Sequence, residues 1–248
     1  MLLRAETVAC IRAERMLFSG LSFASEPARA MALTGPNGVG KSSLLRLIAG
    51  LLPLHDGTIS LVDPTSGDIV AGSGHDRPLG QYCHYLGHRD ALKPSMSVIE
   101  TLAFWSDFLA PLEPRLPRKA QPDVSGQPHR HNHNTATPPE SPRTESLPLT
   151  AVTAEAALER VGLAHLADLS CQLLSAGQRR RLTLARLLVV ARPLWLLDEP
   201  TTALDSAGQD ILWQLCTSHL AQGGVIMVAT HAPLPIPDTP VALERGRS

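Results

Sequence analysis

The sequence predicts an α/β fold built on a parallel sheet with helices over both faces. Two patterns predict it. Short, uninterrupted apolar runs recur at Ala30-Met31-Ala32-Leu33-Thr34, Leu194 to Leu197 and Val225 to Ala229, which is how strands buried on both faces read. Between them lie apolar residues at helical spacing: Leu44, Leu45, Leu47, Ile48, Leu51 and Leu52, then Leu182 to Val190 and Ile211 to Ala221. Alternation of the two kinds of segment marks a sheet layered between helices. With 248 residues, 44% of them hydrophobic, the chain can bury such a core without disulfide or metal staples.

The remaining segments follow in order. The first apolar run stops at Gly35, and a helix starts a few residues on. Val62 to Pro78 is rich in turn residues and reads as an elaborated strand connection. Residues 89–110 and 151–174 are predicted to be helical, and the tract between them, 111–150, interrupts that lobe. It holds nine of the 21 prolines, no aromatic residue, and a run with His129, His131 and His133. A tract of this composition buries too little apolar surface to offset its ordering entropy, so it is predicted to be a disordered insertion. Alternating histidines can hold a metal or haem, but a solvated polar tract is the simpler reading.

Composition excludes several functions. Lys and Arg total 22 against 23 Asp and Glu, a formal charge of −1. That balance argues against a dedicated nucleic-acid binder, which needs a basic face, and against a polybasic membrane anchor. Cys10, Cys83, Cys171 and Cys216 form no C-x-x-C pair, so reduced thiols in a cytoplasmic protein are expected. Arg4, Glu6, Arg12 and Glu14 interrupt the N-terminus, which therefore does not read as a signal peptide. Arg186, Arg192 and Pro193 break up the longest apolar region, so no segment is expected to span a bilayer. A membrane role would come through a partner.

Three motifs carry chemistry. Gly35-Pro36-Asn37-Gly38-Val39-Gly40-Lys41-Ser42 is a G-x-x-x-x-G-K-S element between a buried strand and a helix, the context that motif requires. Its glycines let backbone N–H groups nest around phosphates at a helix N-terminus. Lys41 would reach the β- and γ-phosphates, and the Ser42 hydroxyl would ligate Mg²⁺. Leu194-Trp195-Leu196-Leu197-Asp198-Glu199 is a buried strand that ends in two acids at the sheet's carboxyl edge, where open α/β folds bind ligands. Asp198 would hold the metal through its water shell, and Glu199 would polarise the water attacking the γ-phosphate. The third, Leu174-Ser175-Ala176-Gly177-Gln178, precedes Arg179-Arg180-Arg181. Alone it also reads as a helix N-cap.

In this order and spacing the motifs resemble the ATP-binding cassette (ABC) family, whose signature stands where Leu174 to Gln178 lie. The resemblance covers almost the whole chain outside 111–150. It implies a P-loop NTPase (RecA-like) core with an N-terminal antiparallel β subdomain and an α-helical subdomain. Residues 1–88 and 175–248 would form the nucleotide-binding core of a single domain, and 89–174 the helical part. It further implies that Gly35 to Ser43 wrap the phosphates, Ser43 included, and that Asp205 belongs to the D-loop. His231, in Val228-Ala229-Thr230-His231, would be the switch histidine that contacts the γ-phosphate. Ser175, Gly177 and Gln178 of a second copy would close over ATP in a head-to-tail homodimer, with ATP and Mg²⁺ as cofactors. Two departures stand out. No aromatic residue occupies the first strand, where the family stacks one on adenine; Cys10, Ile11 and Arg12 stand there. His88 takes the position of the glutamine that senses the metal and meets the permease.

Within the family, the chain resembles the cassettes of haem exporters that serve c-type cytochrome biogenesis. The segments that carry this likeness are Leu17 to Phe23, Tyr85-Leu86-Gly87-His88, Leu174 to Arg181, and Ala191-Arg192-Pro193-Leu194-Trp195. That resemblance implies integral-membrane permease partners and a peripheral place on the cytoplasmic side of a bacterial inner membrane. Alternatives are a cassette for a drug, lipid or ion exporter, a soluble ABC ATPase on ribosomes or DNA, or a nucleotide binder that no longer hydrolyses. Residues 111–150 lack the heptads of the soluble class, and Lys41, Asp198, Glu199 and His231 argue against the last.

Overall fold

The computed structural model describes residues 1–12, 14–110 and 151–244; the predicted insertion lies outside them. Nine strands and five helices appear among these residues. In chain order they are β1 (Leu2–Arg12), β2 (Arg15–Ala24), β3 (Ala30–Thr34), α1 (Lys41–Ile48), β4 (Asp56–Val62), β5 (Ile69–Gly72) and β6 (Cys83–Leu86). After these come α2 (Val98–Leu109), α3 (Ala154–Arg160), α4 (Ala176–Val189), β7 (Leu194–Asp198), α5 (Ser206–Ala221), β8 (Val225–Ala229) and β9 (Asp238–Ala242).

Two sheets result. The N-terminal one is antiparallel, in the order β2-β1-β4-β5. In β1, Leu3, Ala5, Val8 and Cys10 are buried, and the alternation slips at Thr7, whose φ of 51° sits where the register shifts against both neighbours. That slip is a bulge, which bends the strand and re-aims its side chains. The second sheet is parallel throughout, in the order β6-β7-β8-β3-β9.

Successive side chains of the parallel strands feed two separate cores, as the two-residue period of a strand requires. Leu194, Leu196, Val225 and Met227 point toward α1 and the antiparallel sheet, packing with Leu3, Phe18, Leu44 and Ile48. Trp195, Leu197, Ile226 and Val228 point the other way, among Leu102, Leu158, Leu187, Leu212 and Leu220 of α2 to α5. All four cysteines are free and buried, and burial pushes the Cys83 and Cys216 thiols up to about 12.

Some segments differ from their sequence reading for identifiable reasons. Residues 89–97 are not helical: α2 starts only at Val98, where the Ser97 side chain and Glu100 form a capping box. α3 is short because Gly162, at φ 70°, follows its end; two 3-10 turns, Ala164–Leu166 and Cys171–Leu173, fill the rest up to Leu174. α4 begins six residues earlier than Leu182 because Ser175 and Gln178 cap it reciprocally. The turn-rich connection after Val62 contains β5. Pro240 sits within β9, which is tolerable because β9 is the sheet's edge.

Two buried histidines tie the core together. His84 on β6 lies 2.8 Å from the Val190 carbonyl through Nε2, and burial drives its pKa from 6.5 down to about 3. His219 on α5 stacks on Trp195 at 4.0 Å between ring centroids and lies 3.2 Å from the Pro193 carbonyl; burial lowers it to about 4. Both stay neutral in the fold, whereas the unfolded chain takes up their protons near pH 6.5. Stability is therefore complete above that pH and is lost as pH falls toward 4, by about 1.4 kcal/mol per pH unit for each histidine. Chemical denaturation between pH 7 and 4 is expected to show this decline, with a shallower slope for His84→Gln. An unchanged slope in that variant would remove His84 from the account.

Candidate nucleotide site

The site gathers at the carboxyl ends of β3, β7 and β8. The loop after β3 turns through two glycines with no alternative residue. Gly35 has φ 134°, and a Cβ there would lie 2.6 Å from the Leu243 carbonyl oxygen. Gly40, at φ 119°, is the N-cap of α1, and a Cβ would meet the Phe18 ring at 3.0 Å. Phe18 thus supports the loop from behind, buried and withheld from any base.

Lys41 opens α1 and is only 8% exposed. Its ammonium donates to the carbonyls of Gly35 at 2.8 Å and Pro36 at 3.3 Å, so it bridges the loop it belongs to. A cation held across a nest of N–H groups at a helix N-terminus is an anion receptor suited to phosphates. The next residue, Ser42, donates from Oγ to Asp198 Oδ1 at 2.8 Å, which joins the loop to the end of β7. A hydroxyl and a carboxylate in contact are hard oxygen donors of the kind Mg²⁺ takes alongside phosphate oxygens and waters. Among the described residues no group of three His, Cys, Asp or Glu gathers to hold a metal alone.

Glu199 follows in the left-handed region, at φ 46°, a strained conformation for a residue with a Cβ. Its N–H donates to the Ala229 carbonyl at 2.8 Å, so the end of β8 holds the turn in place. The strain aims the carboxylate sideways, where it lies 3.6 Å from Nε2 of His231. A carboxylate and an imidazole beside the Ser42–Asp198 pair are groups that can orient and deprotonate a water.

Ser175, Gly177, Gln178 and Asp205 stand elsewhere. Ser175 and Gln178 cap α4, and Asp205 caps α5 by accepting from the Gly208 N–H at 2.9 Å. Among the described residues no hydrogen bond joins any of them to residues 35–43. His88 is exposed beyond β6, on the wall of a cavity of about 560 Å³ that Arg46, Tyr85, Arg89, Trp105 and Arg186 also line. No hydrogen bond joins it to Ser42, Asp198 or Glu199 among the described residues. Ile11 is 39% exposed and Arg12 is exposed at the end of β1, in place of a stacking aromatic ring.

Two residues escaped the sequence reading. Tyr85 reaches Asp198 Oδ2 with its hydroxyl at 3.3 Å. Arg180, 3% exposed, donates to the carbonyls of Gly87, Glu199 and Pro200 at 2.9, 2.9 and 3.2 Å and lies 3.5 Å from Asp90. It fastens α4 to the turn carrying the acids. Burial lowers its pKa, and the Asp90 carboxylate partly offsets that. In sequence it was one arginine of three, with nothing to mark it as the buried one.

Residues 18–202 match the ABC transporter family, and the chain belongs to that family. It is therefore a nucleotide-binding ATPase whose hydrolysis is coupled to transport. The cytochrome c biogenesis ATP-binding export protein CcmA of Rhodopseudomonas palustris (strain BisB5) is 47% identical over 228 residues, covering 92% of this chain and 90% of that protein. CcmA of Bradyrhizobium diazoefficiens is 45% identical, covering 95% and 94% of the two chains. Among solved structures, the ATP-binding subunit of an ABC transporter shares the fold, with a TM-score of 0.65 at 17% identity over 93% of this chain and 80% of that one.

Proposed function

We propose that this chain is the ATPase subunit of a haem exporter acting in c-type cytochrome biogenesis. The observation that carries the reading is identity of 45–47% to cytochrome c biogenesis export proteins across more than nine-tenths of this chain. An intact set of Lys41, Ser42, Asp198, Glu199 and His231 supports a hydrolysing subunit.

In this proposal Gly35, Pro36, Asn37, Gly38, Val39 and Gly40 wrap the phosphates of ATP, with Lys41 on the β- and γ-phosphates and Ser43 closing the loop. Ser42 and Asp198 would hold Mg²⁺, which when bound neutralises charge on the β- and γ-phosphate oxygens. Glu199 accepts a proton from the attacking water, and His231 orients that water and the γ-phosphate. Ser175, Gly177, Gln178 and Asp205 act from a second copy, closing a head-to-tail homodimer in which ATP is the glue. ATP binds the closed state better than the open one, so its hydrolysis shifts the balance back.

The permease would dock beside the 560 Å³ cavity, with His88 between it and the metal's water shell. No helix among the described residues is long and apolar enough to cross a membrane, which fits attachment through partners at the cytoplasmic face of the inner membrane. A haem stain for covalent c-type cytochromes in cells lacking the gene tests the reading. Holo-cytochromes are expected to disappear, and to return with the wild-type gene but not with Glu199→Gln. Normal cytochromes without the gene would assign the cassette to another exporter.

A further inference from the structure

We propose that Tyr85 is a positioning residue for the metal-holding carboxylate of Asp198, resting on the assignment of that carboxylate made above. Asp198 has two oxygens and the structure occupies both. Oδ1 accepts from Ser42, and Oδ2 accepts from the Tyr85 hydroxyl. A carboxylate bonded through one oxygen still rotates about its last torsion; bonded through both, it presents its free lone pairs in one direction. Group orientation of this kind around a metal ligand typically changes affinity or activity by about 10–100-fold when lost.

Tyr85 is itself held at two points, its hydroxyl and its backbone carbonyl. Arg46 Nε donates to the hydroxyl oxygen at 3.1 Å. Arg186 donates to the Tyr85 carbonyl at 2.9 Å and lies with its guanidinium 4.5 Å from the centre of the Trp105 ring. Gly87 gives the ring its room: a Cβ there would lie 2.9 Å from Cε1 and 3.1 Å from the hydroxyl oxygen. Absence of a side chain at Gly87 thus admits the ring to the place where it reaches Asp198, 113 residues away along the chain. Two independent features, a donor on the second oxygen and a vacated position beside the ring, converge on one orientation.

The test measures Mn²⁺, standing in for Mg²⁺, by electron paramagnetic resonance titration of the full chain in the presence of a non-hydrolysable ATP analogue. Tyr85→Phe keeps the ring and removes only the hydroxyl. Loss of one long hydrogen bond to a carboxylate is expected to weaken Mn²⁺ binding roughly 3- to 10-fold, while affinity for the analogue in EDTA is unchanged. Gly87→Ala, which pushes the ring aside, is expected to give a loss of the same sign. Added to Tyr85→Phe it should cost nothing further, because the bond is already gone. Asp198→Asn separates the two levels of inference. If it abolishes tight Mn²⁺ binding while Tyr85→Phe and Gly87→Ala both titrate as wild type, the role of Tyr85 is overturned and the metal assignment stands. If Asp198→Asn itself binds Mn²⁺ as wild type does, the assignment falls and the proposal with it.

Discussion

Lys41→Ala is expected to weaken ATP binding by at least ~10²-fold, as measured by titration with a fluorescent nucleotide. The side chain supplies the loop's one ammonium, and it is 8% exposed, so no water replaces it cheaply. Removing a charged donor from a buried phosphate contact is worth about 3 kcal/mol or more, and every 1.4 kcal/mol is tenfold. The variant also loses the bridge from Nζ to the Gly35 and Pro36 carbonyls, which leaves those acceptors to water and loosens the loop. Circular dichroism and thermal melting separate that effect from unfolding, because the Lys41 side chain belongs to neither hydrophobic core. A folded Lys41→Ala protein that binds ATP like wild type would remove the loop from the nucleotide site.

Glu199→Gln gives the opposite pattern: ATP binding retained, hydrolysis slowed at least ~10²-fold. Gln has the same shape and meets the same backbone demand at φ 46°, and the N–H bond to Ala229 does not involve the side chain. What it cannot do is accept a proton, and a positioned general base contributes about 10²–10⁴-fold. With hydrolysis blocked, ATP persists and the variant is expected to elute as a dimer with ATP and as a monomer without it. A phosphate-release assay and size-exclusion chromatography read the two halves independently. Hydrolysis at the wild-type rate would move the base elsewhere, and a monomer with ATP bound would count against the sandwich.

What was legible in the sequence follows from how far apart the interacting residues lie. The loop from Gly35 to Ser43 is a contiguous backbone device, so its residues announce themselves by spacing. Strands β3, β7 and β8 are buried on both faces and read as unbroken apolar runs. β6 did not, because His84 carries a polar ring whose burial depends on the Val190 carbonyl, 106 residues on. β9 did not, because an edge strand can carry Asp238 and Pro240. In β1 the bulge at Thr7 breaks the alternation that would have marked it. The same rule governs the site. Tyr85 and Arg180 act on groups that only the folded sheet brings near, and no local pattern separates Arg180 from Arg179 and Arg181.

The buried thiols have a practical corollary. Cys10, Cys83, Cys171 and Cys216 are each at most 4% exposed. At neutral pH the Cys83 and Cys216 thiols, raised to about 12, hold almost no thiolate, the form that alkylating reagents attack. A maleimide-borne spin label or fluorophore therefore finds no native target in the folded chain. One cysteine introduced at exposed Glu159 on α3 becomes the single labelled position, with the native four left in place. In a Glu199→Gln background, the distance between two such labels follows the approach of one copy to another as ATP is added, and the unmutated protein serves as its own blank.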